Sequence, residues 1–147
     1  MESSTSRSTP SRSTPPVVCD MSNAPDTPAG RVEEYRRLFA QSLLGRERTS
    51  AGIRFRFRAD SGIEAWVRDL AAREKSCCAF FDFAVTVSDD EVRWDAAVID
   101  DEIARQILDE FYRLPESVGG GVATVSQAFA DRGLKVLNAA DRQDERP

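Results

Sequence analysis

Glu74, Cys77 and Cys78 stand in the stretch Glu74-Lys75-Ser76-Cys77-Cys78-Ala79-Phe80-Phe81-Asp82-Phe83. On a helix, residues three and four apart share a face, so this spacing predicts one carboxylate clustered with two thiols. Two soft thiolates suit Hg(II), As(III), Cu(I) or Zn(II). Linear Hg(II) or Cu(I) needs only two sulfurs, whereas Zn(II) needs four ligands, from Glu74, the distant Cys19 or a second subunit. The carboxylate and the negative helix end both raise a thiol's pKa, so strong nucleophiles are not expected here. A disulfide between the adjacent cysteines is strained and easily reduced. Against all of these stands packing, because cysteine often fills a core as a small apolar group.

The 147-residue chain contains no histidine. That excludes Ser-His-Asp and Cys-His catalysis, His-ligated metal sites and the usual neutral-pH proton shuttle. Acid–base chemistry is left to carboxylates, thiols, Tyr35, Tyr112, Lys75 and Lys135. A net charge of −5 argues against a general phosphate-binding surface, and so against nucleic acid. No apolar run approaches the roughly 18 residues of a membrane span, and no secretory signal is visible. Three cysteines do not make a disulfide framework, so a reducing cytoplasm is expected. There is no phosphate loop, no dinucleotide fingerprint and no assembled nucleophile–base pair, which leaves catalytic residues unassigned and enzyme status open.

The elements that must position the cluster follow from periodicity. Residues 1–29 are rich in Ser, Thr, Pro and Arg, with a tandem Ser-Arg-Ser-Thr-Pro repeat, and predict a disordered tail. Met21-Ser22-Asn23-Ala24 reads as an alternative translation start, and Cys19 in this tail as incidental. Val32, Tyr35, Leu38, Phe39 and Leu43 recur at helical spacing before Gly45. Ile53, Phe55 and Phe57 alternate with Arg54, Arg56 and Arg58, a half-buried strand whose cationic face is solvated, steers an anion or protects an edge. Asp60 or Ser61 caps a second helix with stripe Ile63, Val67, Leu70, Glu74 and Cys77, in which Glu74 takes a slot that should be apolar; Arg73 and Lys75 face solvent. Phe81, Phe83, Val85 and Val87, then Val92, Trp94, Ala96 and Val98, form a hairpin turned at Ser88 to Asp90. Asp100 or Asp101 caps a helix carrying Ile103, Ile107, Leu108 and Phe111, stopped by Pro115.

The order α-β-α-β-β-α predicts an α+β, ferredoxin-like sandwich with a mostly antiparallel three-stranded sheet and helices on one face. Its split β-α-β unit places the third strand between the first two. Residues 30–116 would be the domain, and 117–147 a Gly-rich joint, a short helix and a polar tail.

With these residues in view, the chain resembles small, mostly uncharacterised bacterial proteins frequent in actinobacteria. They carry a Glu-x-x-Cys-Cys-(Pro)-Phe-Phe-x-Phe type motif, similar to segments appended to some MerR-type heavy-metal regulators. The resemblance covers residues 31–114 and singles out Glu74, Cys77, Cys78, Phe80, Phe81 and Phe83; Ala79 stands where proline is common. No DNA-binding domain precedes the module, so direct transcriptional regulation is not expected. The leading expectation is cytoplasmic binding of a soft metal or metalloid ion through Cys77 and Cys78, with Glu74 as a further ligand and the phenylalanines excluding water. The alternatives are a thiol redox or transfer enzyme, and a non-catalytic module, dimeric through an uncovered sheet face, whose cysteines are core packing.

Overall fold

The computed structural model describes residues 16–137. Its α+β architecture is a four-stranded antiparallel sheet covered by helices, beside a separate two-stranded parallel sheet. The chain runs β1 (Val18–Asp20), α1 (Pro28–Ser42), β2 (Leu43–Arg48), β3 (Ile53–Arg58), α2 (Ile63–Cys77), β4 (Phe81–Ser88), β5 (Glu91–Val98), α3 (Glu102–Tyr112), α4 (Leu114–Ser117), a 3-10 turn (Val118–Gly120), α5 (Gly121–Asp131) and β6 (Lys135–Leu137). The main sheet has the order β2-β3-β5-β4, so the third strand of the split β-α-β unit does lie between the other two.

Alternation along β3 and β5 decides which sheet face is covered. Ile53, Phe55, Phe57, Val92 and Trp94 are completely buried, with Tyr35, Phe81, Phe83 and Phe111 packed around Trp94 or one another. On the opposite face no arginine row is left free. Arg54 meets Asp95 and Glu47, Arg56 meets Glu91 and Glu47, and Arg58 meets Asp60. The face expected to steer an anion or dimerise is therefore a lattice of paired charges.

The β4–β5 hairpin turns through Asp89 and Asp90, both at positive φ, the geometry that matches right-handed strand twist. At Gly52 a Cβ would lie 2.0 Å from the Ala96 carbonyl oxygen, so only glycine fits between β2 and β3 there.

Several boundaries differ from the sequence expectation. The first helix ends at Ser42, and Leu43 continues directly into a fourth strand, with Gly45 in a bulge rather than at a helix stop. Neither Asp60 nor Ser61 caps α2; Gly62 takes that place in a left-handed conformation, and the Asp60 carboxylate goes to Arg58. Asp101 does cap α3, accepting from the Ala104 N–H at 2.9 Å. Ile103 is largely exposed, and Glu110 is buried instead, paired with Arg132.

The domain limits at 29 and 117 also change. Met21, Val118, Val125 and Leu134 belong to the same core as the sheet, and β1 pairs in parallel with β6. Hydrogen bonding and apolar burial thus tie residues 16–29 and the segment after Gly119-Gly120-Gly121 to the body. The tandem Ser-Arg-Ser-Thr-Pro repeat and the polar end after Asn138 lie outside the described residues.

Candidate functional site

The last turn of α2 presents Glu74 and Cys77, and Cys78 caps the helix with its N–H donated to the Glu74 carbonyl at 2.7 Å. At φ −122° and ψ 76°, Cys78 has left helical conformation. The two neighbouring cysteines consequently meet different partners. Cys78 forms a disulfide with Cys19 of β1, across 59 residues of sequence and with 4.5 Å between Cα atoms. Cys77 is a buried free thiol with its sulfur 3.7 Å from Arg31 Nη1.

Glu74 stands between the two. Its Oε1 lies 3.7 Å from Cys78 Sγ and 3.6 Å from Arg31 Nη1, and its Oε2 accepts the Tyr35 hydroxyl at 2.7 Å. Arg31 also grips Asp26 bidentately, Nε and Nη2 donating at 2.8 and 2.7 Å. Asp26 in turn accepts from Arg73, which pairs with Glu34. Arg73 therefore belongs to this network rather than facing solvent. Lys75 stays exposed while donating to the carbonyls of Ala79 and Phe81. That contact fixes the turn after the cysteines, where Ala79 supplies no proline ring.

Titration follows from these contacts. Burial pushes the Glu74 carboxyl above its ordinary range, although Arg31 and the Tyr35 hydroxyl pull the other way. Burial raises the Cys77 thiol too, against the Arg31 contact, so it is held as a neutral thiol rather than a nucleophile. Tyr35 is driven well above its usual value by burial and by the Glu74 charge. For Arg31 burial disfavours charge, but Asp26 and Glu74 outweigh it and keep the guanidinium protonated. The Arg31 hydrogen bonds hold Asp26 below the usual carboxylate range.

The site borders an apolar cavity of about 100 Å³. Cys19, Cys77 and Cys78 all line it, together with Phe111 of α3 and Val125 and Phe129 of α5. Phe81 lines it, and Phe80 is buried with its ring against that of Phe81.

The expected ligand set of Cys77, Cys78 and Glu74 is thus near one point but not assembled as a donor set. Cys78 sulfur is committed to Cys19, and Cys77 faces a guanidinium, which disfavours a bound cation. Among the described residues no group of three or more Cys, Asp or Glu side chains is arranged to hold a metal ion. Sequence reasoning took Cys19 for an incidental residue or a distant zinc ligand, where it is the disulfide partner of Cys78, and it missed Arg31. The first sits in a segment whose composition reads as tail, and the second is a charged residue on the buried face of α1. No helix among the described residues is long and apolar enough to cross a membrane. No protein family matches the chain, and no curated protein or solved structure shows significant similarity to it.

Proposed function

We propose that the protein performs thiol–disulfide exchange at Cys19–Cys78 with a low-molecular-weight thiol, Glu74 serving as the proton donor and acceptor. The observation that carries this reading is the Glu74 carboxyl against Cys78 Sγ, with its pKa raised by burial. Cys19 is partly exposed and Cys78 is buried, so an external thiolate reaches Cys19 Sγ. Its attack forms a mixed disulfide at Cys19 and breaks the Cys19–Cys78 bond. Cys78 leaves as a thiolate and is protonated in those molecules whose Glu74 carboxyl holds a proton, a population that burial enlarges; the carboxylate then regains a proton from solvent. A second thiolate attacks the external sulfur of the mixed disulfide, releasing the Cys19 thiolate, which is protonated by water. Two external thiols become one disulfide, and the protein disulfide becomes a dithiol; the reverse sequence re-forms it.

The test is equilibration of the protein in thiol–disulfide buffers, followed by rate measurements on Glu74→Gln. Exchange requires a reduction potential above about −300 mV, since resistant structural disulfides lie below that value. General acid–base assistance predicts a loss of about 10²-fold in reduction rate for Glu74→Gln. A potential below that limit, or an unchanged rate in the variant, refutes the reading.

A second reading keeps the expected soft ion but moves its donors. Once reduced, Cys19 and Cys78 bring two thiols to one point beside Glu74, a donor set for two-coordinate Hg(II) or Cu(I). Native mass spectrometry of the reduced protein tests it: one ion per chain, lost in Cys19→Ser but kept in Cys77→Ser, supports this arrangement. Binding that survives Cys19→Ser refutes it.

A further inference from the structure

We infer that the thiol exchanging with Cys19–Cys78 is a small apolar one, a short alkyl thiol whose carbon chain enters the cavity beneath α5. This rests on the exchange reading and names its substrate class. Three observations converge on it.

Both cysteines of the disulfide line the cavity, so a molecule seated there lies beside the residues whose bond is to be broken. The remaining wall is largely apolar and includes Phe81, Phe111, Val125 and Phe129. Of the charged and hydroxylic groups that line it, Arg31, Glu74 and Tyr35 are engaged with one another, and the exposed Ser126 hydroxyl stands outside that network. Arg31 is held by Asp26 and Glu74, and Tyr35 donates to Glu74. A thiol carrying carboxylates or amides would bring several polar groups against carbon with a single exposed hydroxyl, Ser126, to meet them, at the cost of their desolvation. Size points the same way: the partly open cavity holds about 100 Å³, against roughly 150 Å³ for an apolar cavity known to admit benzene. The fit is therefore to a chain of a few carbons rather than to an aromatic ring.

Two nearly isosteric thiols separate the classes. 1-Propanethiol and 2-mercaptoethanol differ by a methyl in place of a hydroxyl, and their rates are compared per unit of thiolate to remove the difference in acidity. One apolar group in an apolar pocket is worth about 10-fold or more in discrimination, so 1-propanethiol should reduce the disulfide at least that much faster. Val125→Phe fills the cavity from α5 and should bring the ratio of the two rates close to one. Val125→Ala, which enlarges it and guards against a variant that fails to fold, should shift the preference toward benzenethiol. Equal rates per thiolate in the wild-type protein, or a ratio unmoved by both substitutions, overturn the inference while leaving exchange intact. Failure of every thiol to reduce the disulfide overturns exchange itself, and this inference with it.

Discussion

Replacing Cys19 with serine removes the covalent tie between β1 and the end of α2 while keeping nearly the same volume at a partly exposed position. The tie closes a loop spanning 59 residues of sequence separation. Loop-closure entropy for that length amounts to about 4 kcal/mol of stability, between the values for shorter and longer loops. Other contacts of the segment do not replace it. β1 pairs only three residues with β6, Met21 supplies one buried side chain, and Asp26 joins Arg31 and Arg73. For a folded body of this size, about 4 kcal/mol corresponds to a fall of roughly 12–20 °C in melting temperature. Thermal unfolding followed by circular dichroism, with and without reductant, gives four curves for wild type and Cys19→Ser. Reduced wild type should fall to the level of the variant, and the variant should not respond to reductant. A wild-type midpoint indifferent to reduction refutes the reasoning, as does a count of three free thiols in unreduced, unfolded protein.

The remaining predictions concern the buried network and the core. Arg31→Met strands the Asp26 and Glu74 carboxyls and should cost about 3 kcal/mol in urea unfolding, with Arg31→Lys restoring only part because one ammonium cannot span Asp26 bidentately. Glu74 has a folded-state pKa above its ordinary value of 4.5, so the folded chain binds more protons than the unfolded one just above that pH. Wild-type stability should therefore decline as pH rises from 4.5 through the folded pKa, and the Glu74→Gln profile should be flatter over that window. Trp94 buries an indole N–H with no partner among the described residues, so Trp94→Phe loses volume but no hydrogen bond seen there. It should cost less than about 2 kcal/mol, against about 3–5 kcal/mol for Phe55→Ala; equal losses would show that the indole nitrogen is satisfied after all.

The sequence was most legible where one face is buried and the other wet. The alternation of Ile53, Phe55 and Phe57 with arginines, and of Val92, Trp94 and Ala96 with polar residues, predicted β3 and β5 and their covered face. The connection lengths then gave the order β3-β5-β4. β2 escaped because Leu43-Leu44-Gly45-Arg46-Glu47-Arg48 has no apolar alternation; its place is set by pairing with β3, which periodicity does not report. In the site, the stripe of α2 did place Glu74 with the cysteines. What it missed was on the facing side. Arg31 takes a buried slot on α1 only because Asp26, Glu74 and the Cys77 sulfur converge there from other elements. A charge is admitted to a core when its partners come with it, and partners distant in sequence leave no local signal.

The stability of the fold and the reactivity of the disulfide are the same free energy seen from two sides. If closing the loop stabilises the folded chain by about 4 kcal/mol, folding must favour the disulfide over the dithiol by that amount relative to the unfolded chain. For a two-electron couple, 1.4 kcal/mol is about 30 mV, so folding should lower the reduction potential by about 85 mV. That shift makes the pair harder to reduce than the same two cysteines in a loose chain. The Glu74 proton acts differently, because it speeds the departure of Cys78 without entering the loop-closure balance. The two contributions can therefore be separated by measuring potential and rate on the same variants. Arg31→Met should loosen the segment carrying Asp26 and raise the potential, whereas Glu74→Gln should slow exchange more than it moves the potential. A Glu74→Gln variant whose potential moves by the full 85 mV or so, with its rate unchanged, would make Glu74 a structural strut and Cys19–Cys78 a staple.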